Sequence, residues 1–352
     1  MNCLIVIPAL NPSKELIQYV DTLLGHGYTH ILTVDDGSRE DCRFIFDEIE
    51  KKNGCEVLRH EVNMGKGRAL KDAMLYYLEN SLEEELSGII TVDSDGQHTI
   101  LDVNKVAEAM TGNRDSLILG SRDFDSGNVP PKSKFGNKCT IVALKLFIGG
   151  SIKDTQTGLR GIPNSLIERF STLHGDRFEY ETVMLIDAIH SHVDIREVPI
   201  ETVYINDNSE THFHPIKDSV RIYKVILGTF FKYTLSSLSS FLVDYGIFCG
   251  LIYALGKTDT PESRSIWIAT VVARICSSMF NYTVNKKVVF KSNRGPSTLI
   301  MYYCLCVLQM AASAALVTLL NTTGFVPQLG KIIVDTLLFI ISFRIQKLLI
   351  FR

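Results

Sequence analysis

The sequence predicts an α/β domain with a mostly parallel sheet, followed by an all-α membrane domain of four helices. Three observations predict this. Over the first 120 residues, short apolar β-rich runs alternate with helix-period segments, the pattern of right-handed βαβ crossovers. Beyond residue 236, four apolar runs each approach the roughly 20 residues that a helix needs to cross hydrocarbon. The charge also divides. Residues 236–352 hold 11 Lys and Arg against 4 Asp and Glu, and residues 1–235 hold 25 against 35. Balances of +7 and −10 thus hide inside a net charge of −3. The basic charge flanks apolar runs, so it reads as a determinant of membrane orientation. It is not a nucleic-acid footprint.

Strands are expected at Cys3–Ile7, Ile31–Val34, Glu56–Arg59, Gly88–Val92 and Ser116–Leu119. Helical patterns fill Lys14–Leu24, Arg39–Lys51, Arg68–Ser81 and Ile100–Met110. The strands are nearly all apolar, as when helices cover both faces of a sheet. A polar cluster follows each strand: Pro8–Ser13, Asp35–Ser38, Asn63–Gly67, Asp93–His98 and Gly120–Asp123. Ligands of such sheets bind beyond the strand C-terminal ends, so five loops converge on one expected site. The eight cysteines, Cys3, Cys42, Cys55, Cys139, Cys249, Cys276, Cys304 and Cys306, include no C-x-x-C pair and read as buried reduced thiols. No basic n-region precedes the first apolar stretch, so no cleaved signal peptide is expected and the first half belongs in the cytosol.

The boundaries follow from composition. Residues 1–214 form the soluble domain. Residues 215–235 are an amphipathic helix with Lys217, Arg221 and Lys224 on one side, suited to an anionic lipid surface. Residues 236–352 form the membrane domain, with spans at about 238–256, 266–284, 298–320 and 332–351. Lys286, Lys287, Lys291, Arg294, Lys347 and Arg352 cluster after the second and fourth spans, which puts both termini in the cytoplasm. Residues 281–291, NYTVNKKVVFK, align without gaps on residues 342–352, SFRIQKLLIFR, as an internal parallel repeat. Asp244 and Arg274 lie deep in the spans, either as a pair or lining a polar path, and Asp335 and Arg344 lie nearer the interface.

The chemistry starts at VDSDGQH, residues 92–98. Asp93 and Asp95 on a strand-end turn offer two hard oxygen ligands, and Gln97 adds a neutral one, which suits Mg²⁺ or Mn²⁺ bridging nucleotide phosphates. VDDGS supplies Asp35 and Asp36 at the end of another strand, as acceptors for a base or ribose. NMGKGRAL, residues 63–70, opens a helix with glycines and Lys66. It is not a P-loop.

IPALNP, VDDGS, NMGKGRAL, VDSDGQH, GSR at 120–122 and DTQTGLRG at 154–161 occur in this order. The set resembles the family-2 glycosyltransferases of the Rossmann-like GT-A fold, in the polyprenyl-phosphate (dolichyl-phosphate mannose synthase-like) branch. Residues 236–352 resemble the GtrA-like four-span family. The resemblance implies a nucleotide-sugar donor, a UDP-sugar such as UDP-glucose, and an undecaprenyl phosphate acceptor at the cytoplasmic face of a bacterial membrane, for cell-envelope glycan modification. Nucleotide contacts fall on Pro8, Ala9, Asn11, Asp35, Asp36, Gly65, Lys66, Asp93 and Ser94. Metal contacts fall on Asp93, Asp95 and Gln97. Arg122, Lys134 and Lys138 face the acceptor phosphate, and Asp154, Thr157, Gly158 and Arg160 form the sugar-side loop. Asp95, Arg122 and Lys134 carry catalysis. Glu179 and Glu181 read as positioning or structural groups. The chain departs from the family pattern at Pro12, where an acidic residue is usual. It departs again at Ile205, where an arginine follows EVPI in the mannose synthases, with His212 or Lys217 as replacements.

A lipid monophosphate is already an anionic nucleophile, its second pKa lying near about 6, so inverting transfer requires no general base. Two other classes share part of this pattern: a lipid-linked sugar flippase, and a processive polysaccharide synthase. The latter needs Q-x-x-R-W, whereas Trp267 follows Ile266. The partners are therefore donor, lipid phosphate and membrane, with no nucleic acid. Association into a homo-oligomer stays open.

Overall fold

The computed structural model describes residues 2–123, 131–201, 214–257, 261–324 and 326–352. The chain divides into two compact units, Met1–Ile226 and Leu227–Arg352. Ile205 and His212 lie outside the described residues.

In the first unit the strands are β1 (Leu4–Ala9), β2 (Ile31–Asp35), β3 (Cys55–Arg59), β4 (Gly88–Thr91), β5 (Ser116–Arg122), β6 (Arg160–Pro163) and β7 (Asp194–Ile200). They form one sheet in the order β3-β2-β1-β4-β6-β5-β7. Among the described strands, only β6 runs antiparallel to its neighbours. The helices are α1 (Glu15–Gly25), α2 (Arg43–Glu50), α3 (Lys66–Glu79), α4 (Ile100–Gly112), α5 (Pro131–Ala143), α6 (Asn164–Ser171) and α7 (Glu179–His190). Alternate residues of β1 face opposite cores. Ile5 and Ile7 pack with Leu16, Val20, Phe46 and Val103 on one side. Leu4 and Val6 pack with Leu70, Met74, Tyr77 and Phe170 on the other. Two covered faces explain why β1 is apolar and buried at every position. Replacing fully buried Leu16 of α1 by Ala should cost about 2–5 kcal/mol.

The C-terminal ends of β1, β2, β4 and β5 differ from expectation, and pairing explains those that run on; β2 gains Asp35, which pairs with Ala9 and Arg59. β1 continues through Pro8 and Ala9, which pair with Val34 and Asp35. Both residues are therefore strand, not loop. β5 runs on through Gly120, Ser121 and Arg122 because β7 offers a parallel partner along its whole length, up to Arg122↔Ile200. Local polarity made these residues look like a loop. β4 ends at Thr91, one residue short.

In the second unit, α8 (Pro215–Leu255) is one helix of 41 residues, and the boundary between the units falls inside it. It is followed by α9 (Glu262–Val284), α10 (Ser297–Thr322) and α11 (Pro327–Ile345). Ile216–Leu255 and Ser297–Thr322 are long and apolar enough to cross a membrane. α9 and α11 occupy the second and fourth apolar runs and carry Arg264, Arg274, Lys331, Asp335 and Arg344. Cys3, Cys42 and Cys55 are buried and free, but Cys249, Cys276 and Cys304 are exposed. Helices that meet lipid turn part of their apolar content outward, so in this unit an apolar thiol need not be inside.

The repeat has a structural counterpart. Both copies end in a π-helical turn, Asn285–Val289 after α9 and Gln346–Ile350 after α11. Each turn closes with the equivalent bond: the Phe290 amide donates to Asn285 O at 2.9 Å, and the Phe351 amide to Gln346 O at 2.8 Å. Asn285 Nδ2 donates to Gln346 Oε1 at 3.0 Å. Phe290 stacks on Phe351 with centroids 5.4 Å apart. The equivalent cross pairs Tyr282–Phe351 and Phe343–Phe290 both measure 5.8 Å. Reciprocal contacts between equivalent positions define a local pseudo-two-fold. A polar seam extends from it: Asn281 donates to Ser240 and accepts from Tyr302, while Gln346 donates to Tyr233 and Ser342. Asp244 accepts from Ser277 Oγ at 2.9 Å and lies 3.7 Å from Arg274 Nε. Asp335 pairs with Lys331 at 3.0 Å.

Candidate active site

The loops at the C-terminal ends of β1 to β4 are tied to one another by hydrogen bonds. After β1, Asn11 adopts a left-handed backbone, φ 47°, which asparagine tolerates better than most residues. Its amide donates to Ser38 Oγ at 2.8 Å, and its Oδ1 accepts from the Arg39 amide at 2.8 Å. Both partners belong to the loop after β2. In that loop Asp35 Oδ1 accepts from the Ser38 amide at 2.8 Å, an Asx turn that shapes its own loop. Asp36 reaches the next loop. Its carboxylate accepts from the Met64 and Gly65 amides at 2.8 Å each and approaches His60 Nδ1 at 2.9 Å. Both acidic residues are thus engaged by protein groups, and Asp36 fixes the start of α3. Gly65 is required there. Its φ is 106°, and a side chain would overlap the carbonyl of Asp176.

α3 delivers Lys66 to the turn after β4. Lys66 Nζ lies 2.6 Å from Asp93 Oδ1 and 3.1 Å from Glu181 Oε1. His98 Nε2 lies 3.3 Å from Asp93 Oδ2, and Tyr19 donates to the His98 carbonyl at 3.0 Å. Burial drives the Asp93 carboxyl upward, but Lys66 and His98 outweigh it and hold the group well below the usual carboxylate range. Asp95 is raised, by burial and then by the charge of Asp93. It accepts the Gln97 amide at 3.1 Å. Ser94 and Gln97 are half-buried in the same turn.

The segment 154–160 supports this turn from behind. A side chain at Gly158 would overlap the Asp93 carboxylate, and the Gly158 carbonyl accepts from Thr91 Oγ1 at 2.7 Å. Asp154 is fully buried and receives Arg122 in a two-pronged pair, Nε at 2.7 Å and Nη2 at 3.0 Å. Glu197 of β7 accepts from the Lys153 amide at 2.7 Å and from Ser121 Oγ at 3.2 Å. Arg160, expected to face the sugar, is instead 1% exposed. Its Nε donates to Thr157 O at 3.0 Å and its Nη1 to Glu181 O at 2.8 Å. Thr157 is buried as well. Arg160 thus ties the Thr157 carbonyl to α7 through the Glu181 carbonyl. Lys134 is half-buried and Lys138 exposed on α5, where Asn137 binds Lys153 and Thr155.

Sequence reasoning assigned no role to His60, His98 or Glu197, and it left Glu181 a structural or positioning group. His98 stood inside the quoted VDSDGQH, and Glu197 inside EVPI. His60 had no local signal.

Among the described residues, no group of three His, Cys, Asp or Glu side chains stands together as a metal site. A cation here must rest on fewer protein ligands. Asp93, Asp95 and Gln97 fit that demand. They are hard oxygen donors in one turn, the set used by Mg²⁺ or Mn²⁺ ions that keep water and share nucleotide phosphates.

Residues 4–171 match glycosyl transferase family 2, and residues 232–351 match the GtrA/DPMS transmembrane domain. The chain is 32% identical over 235 residues to an uncharacterized protein of Methanocaldococcus jannaschii, covering 64% of this chain and 92% of the relative. It is 30% identical over 217 residues to the UDP-N-acetylglucosamine–dolichyl-phosphate N-acetylglucosaminyltransferase of Methanococcus voltae, covering 57% and 85%. It is 24% identical over 204 residues to the polyprenol monophosphomannose synthase of Mycolicibacterium smegmatis, covering 56% and 76%.

Proposed function

Because the chain belongs to glycosyl transferase family 2 and carries a GtrA/DPMS transmembrane domain, we propose that it moves a hexose from a nucleotide sugar to a polyprenyl phosphate at the cytoplasmic membrane face. The observation that carries this reading is the Asp93–Asp95 turn, ringed by the Asn11, Asp36 and Lys66 loops at one edge of the sheet. The named activities of two relatives, both on polyprenyl-type phosphates, support the acceptor class. UDP-sugars are the donors we favour.

Each group has a role in this reading. Pro8, Ala9, Asn11, Asp35, Asp36, Gly65, Lys66 and Ser94 shape the nucleotide pocket. Asp93, Asp95 and Gln97 hold a divalent cation, which when bound supplies Lewis-acid charge toward the leaving diphosphate. Arg122, its plane fixed by Asp154, meets the acceptor phosphate together with Lys134 and Lys138. These residues hold one phosphate oxygen in line with the anomeric carbon. The new C–O bond forms as the bond to the diphosphate breaks, and the anomeric centre inverts. The phosphate is already ionised at neutral pH, so no side chain must take its proton. Asp154, Thr157, Gly158 and Arg160 act by placing the segment that backs the site.

The domain reading is residues 1–214 for catalysis, 215–235 for the lipid headgroup level and 236–352 for the membrane. The basic residues after α9 and α11 support cytoplasmic termini. The test is incubation of the full chain with each of UDP-glucose, UDP-galactose, UDP-N-acetylglucosamine and GDP-mannose, with Mg²⁺ or Mn²⁺ and undecaprenyl phosphate. A chloroform-soluble labelled glycolipid is the expected product, lost in Asp95→Ala. Full activity in that variant refutes the metal assignment, and no glycolipid with any donor refutes the reaction.

A further inference from the structure

Lys66 holds a place that its sequence motif does not explain. Its ammonium is shared between two carboxylates, at 2.6 Å from Asp93 Oδ1 and 3.1 Å from Glu181 Oε1, and it lies 6.0 Å from the Phe178 ring. Its side chain is 16% exposed and that of Glu181 is 9% exposed. The two contacts are unequal. Asp93 receives a hydrogen bond from Lys66, whereas Glu181 Oε1 is buried with no well-directed hydrogen bond. The nearest other cation to it is Arg160 Nε, at 4.0 Å. Arg160 gives its Nη1 to the Glu181 main-chain carbonyl, which fixes the backbone of α7 and leaves Glu181 Oε1 with only the Lys66 ion pair.

A buried carboxylate without full hydrogen bonding is costly. It is therefore a ready receiver for an ammonium displaced from its neighbour. We propose that Lys66 stands in for the divalent cation at Asp93, and that Glu181 is the positioning residue that takes Lys66 over when the metal binds. One positive charge thus stays beside Asp93 in the metal-free site. On loading it moves to Glu181, still within the same pocket. This inference rests on the assignment of the metal to the Asp93–Asp95 turn.

The test is Mn²⁺ titration of the full-length protein in detergent micelles without nucleotide, reading the free Mn²⁺ signal by electron paramagnetic resonance. In Glu181→Gln, Lys66 has only Asp93 as a carboxylate partner, so it competes harder. The Mn²⁺ Kd should rise by about tenfold, the scale of groups that support metal ligands. In Lys66→Met the competitor is gone, and the Kd should fall below that of the wild type. In the double variant, Glu181→Gln should add nothing to Lys66→Met, because Glu181 acts through the lysine. A purely structural role would weaken binding in every variant. Equal Kd in wild type and Glu181→Gln, or weaker binding in Lys66→Met, overturns the stand-in role while leaving the metal site intact. No Mn²⁺ binding by the wild type, either alone or with UDP present, overturns both. Thermal unfolding checks that each variant folds, and if Glu181→Gln does not, the direction of the Lys66→Met shift decides.

Discussion

Gly158 carries only a hydrogen where it faces the Asp93 carboxylate. Gly158→Ala should therefore push Asp93 off its position rather than simply crowd a core. We expect a stability loss of about 1–3 kcal/mol and a fall in turnover of about 100-fold, the usual effect of an ångström-scale misplacement, read from melting and initial rates. Asp154 is the opposite case, a charge whose value depends on its partner. Removing Arg122 as Arg122→Ala leaves a fully buried carboxylate uncompensated, which should cost about 3–5 kcal/mol in a denaturant titration. Cysteines give a milder test. Burial pushes the Cys3 thiol up to about 12 and Cys55 up to about 11. At pH 8 neither should alkylate until the chain unfolds, as mass spectrometry of iodoacetamide-treated protein would show. The acidic residues of this site were legible because D-x-D and D-D-G are local patterns. Their partners were not. Lys66 meets Asp93 and Arg122 meets Asp154 across long stretches of chain, and burial, which turns Arg160 from a sugar contact into a brace, leaves no mark in a single sequence.

At the level of elements, the alternation of apolar runs located β1 to β5 and α1 to α4 well, because a strand covered on both faces needs apolar residues throughout. Polar strand ends defeated the same reading. Gly120 to Arg122 look like a loop until β7 is known to pair with them, and such pairing is nonlocal. The basic amphipathic segment read as an interfacial helix is continuous with the first apolar run in α8, running through Gly228, and no Pro interrupts 216–255 to break it. In the membrane unit the internal repeat was legible, but its meaning was not. The aligned Asn285 and Gln346 side chains bond to each other. Asn285→Leu should leave Gln346 Oε1 short of a donor and cost about 0.5–2 kcal/mol, the spread for hydrogen bonds between membrane helices. Gln346→Leu should cost a similar amount, and the double variant less than the sum. Unfolding in mixed micelles would measure all three.

For the whole molecule, the charge division remains the simplest guide. A −10 half and a +7 half suit two different solvents, and the two compact units divide the chain close to that point. The proposed orientation rests on the basic residues beside α9 and α11. Trypsin should cut at the exposed Lys291 and Arg294 in sealed inside-out vesicles and spare them in right-side-out ones. The reverse result would reject the cytoplasmic assignment. The paired π-turns carry a separate consequence. A joint formed between a residue and its own counterpart is one that a single helical hairpin can make with a second copy of itself. Gene duplication and fusion of such a hairpin would inherit a working interface on the first day, and later drift, such as Asn against Gln and Tyr282 against Phe343, would need only to preserve a fit that already existed.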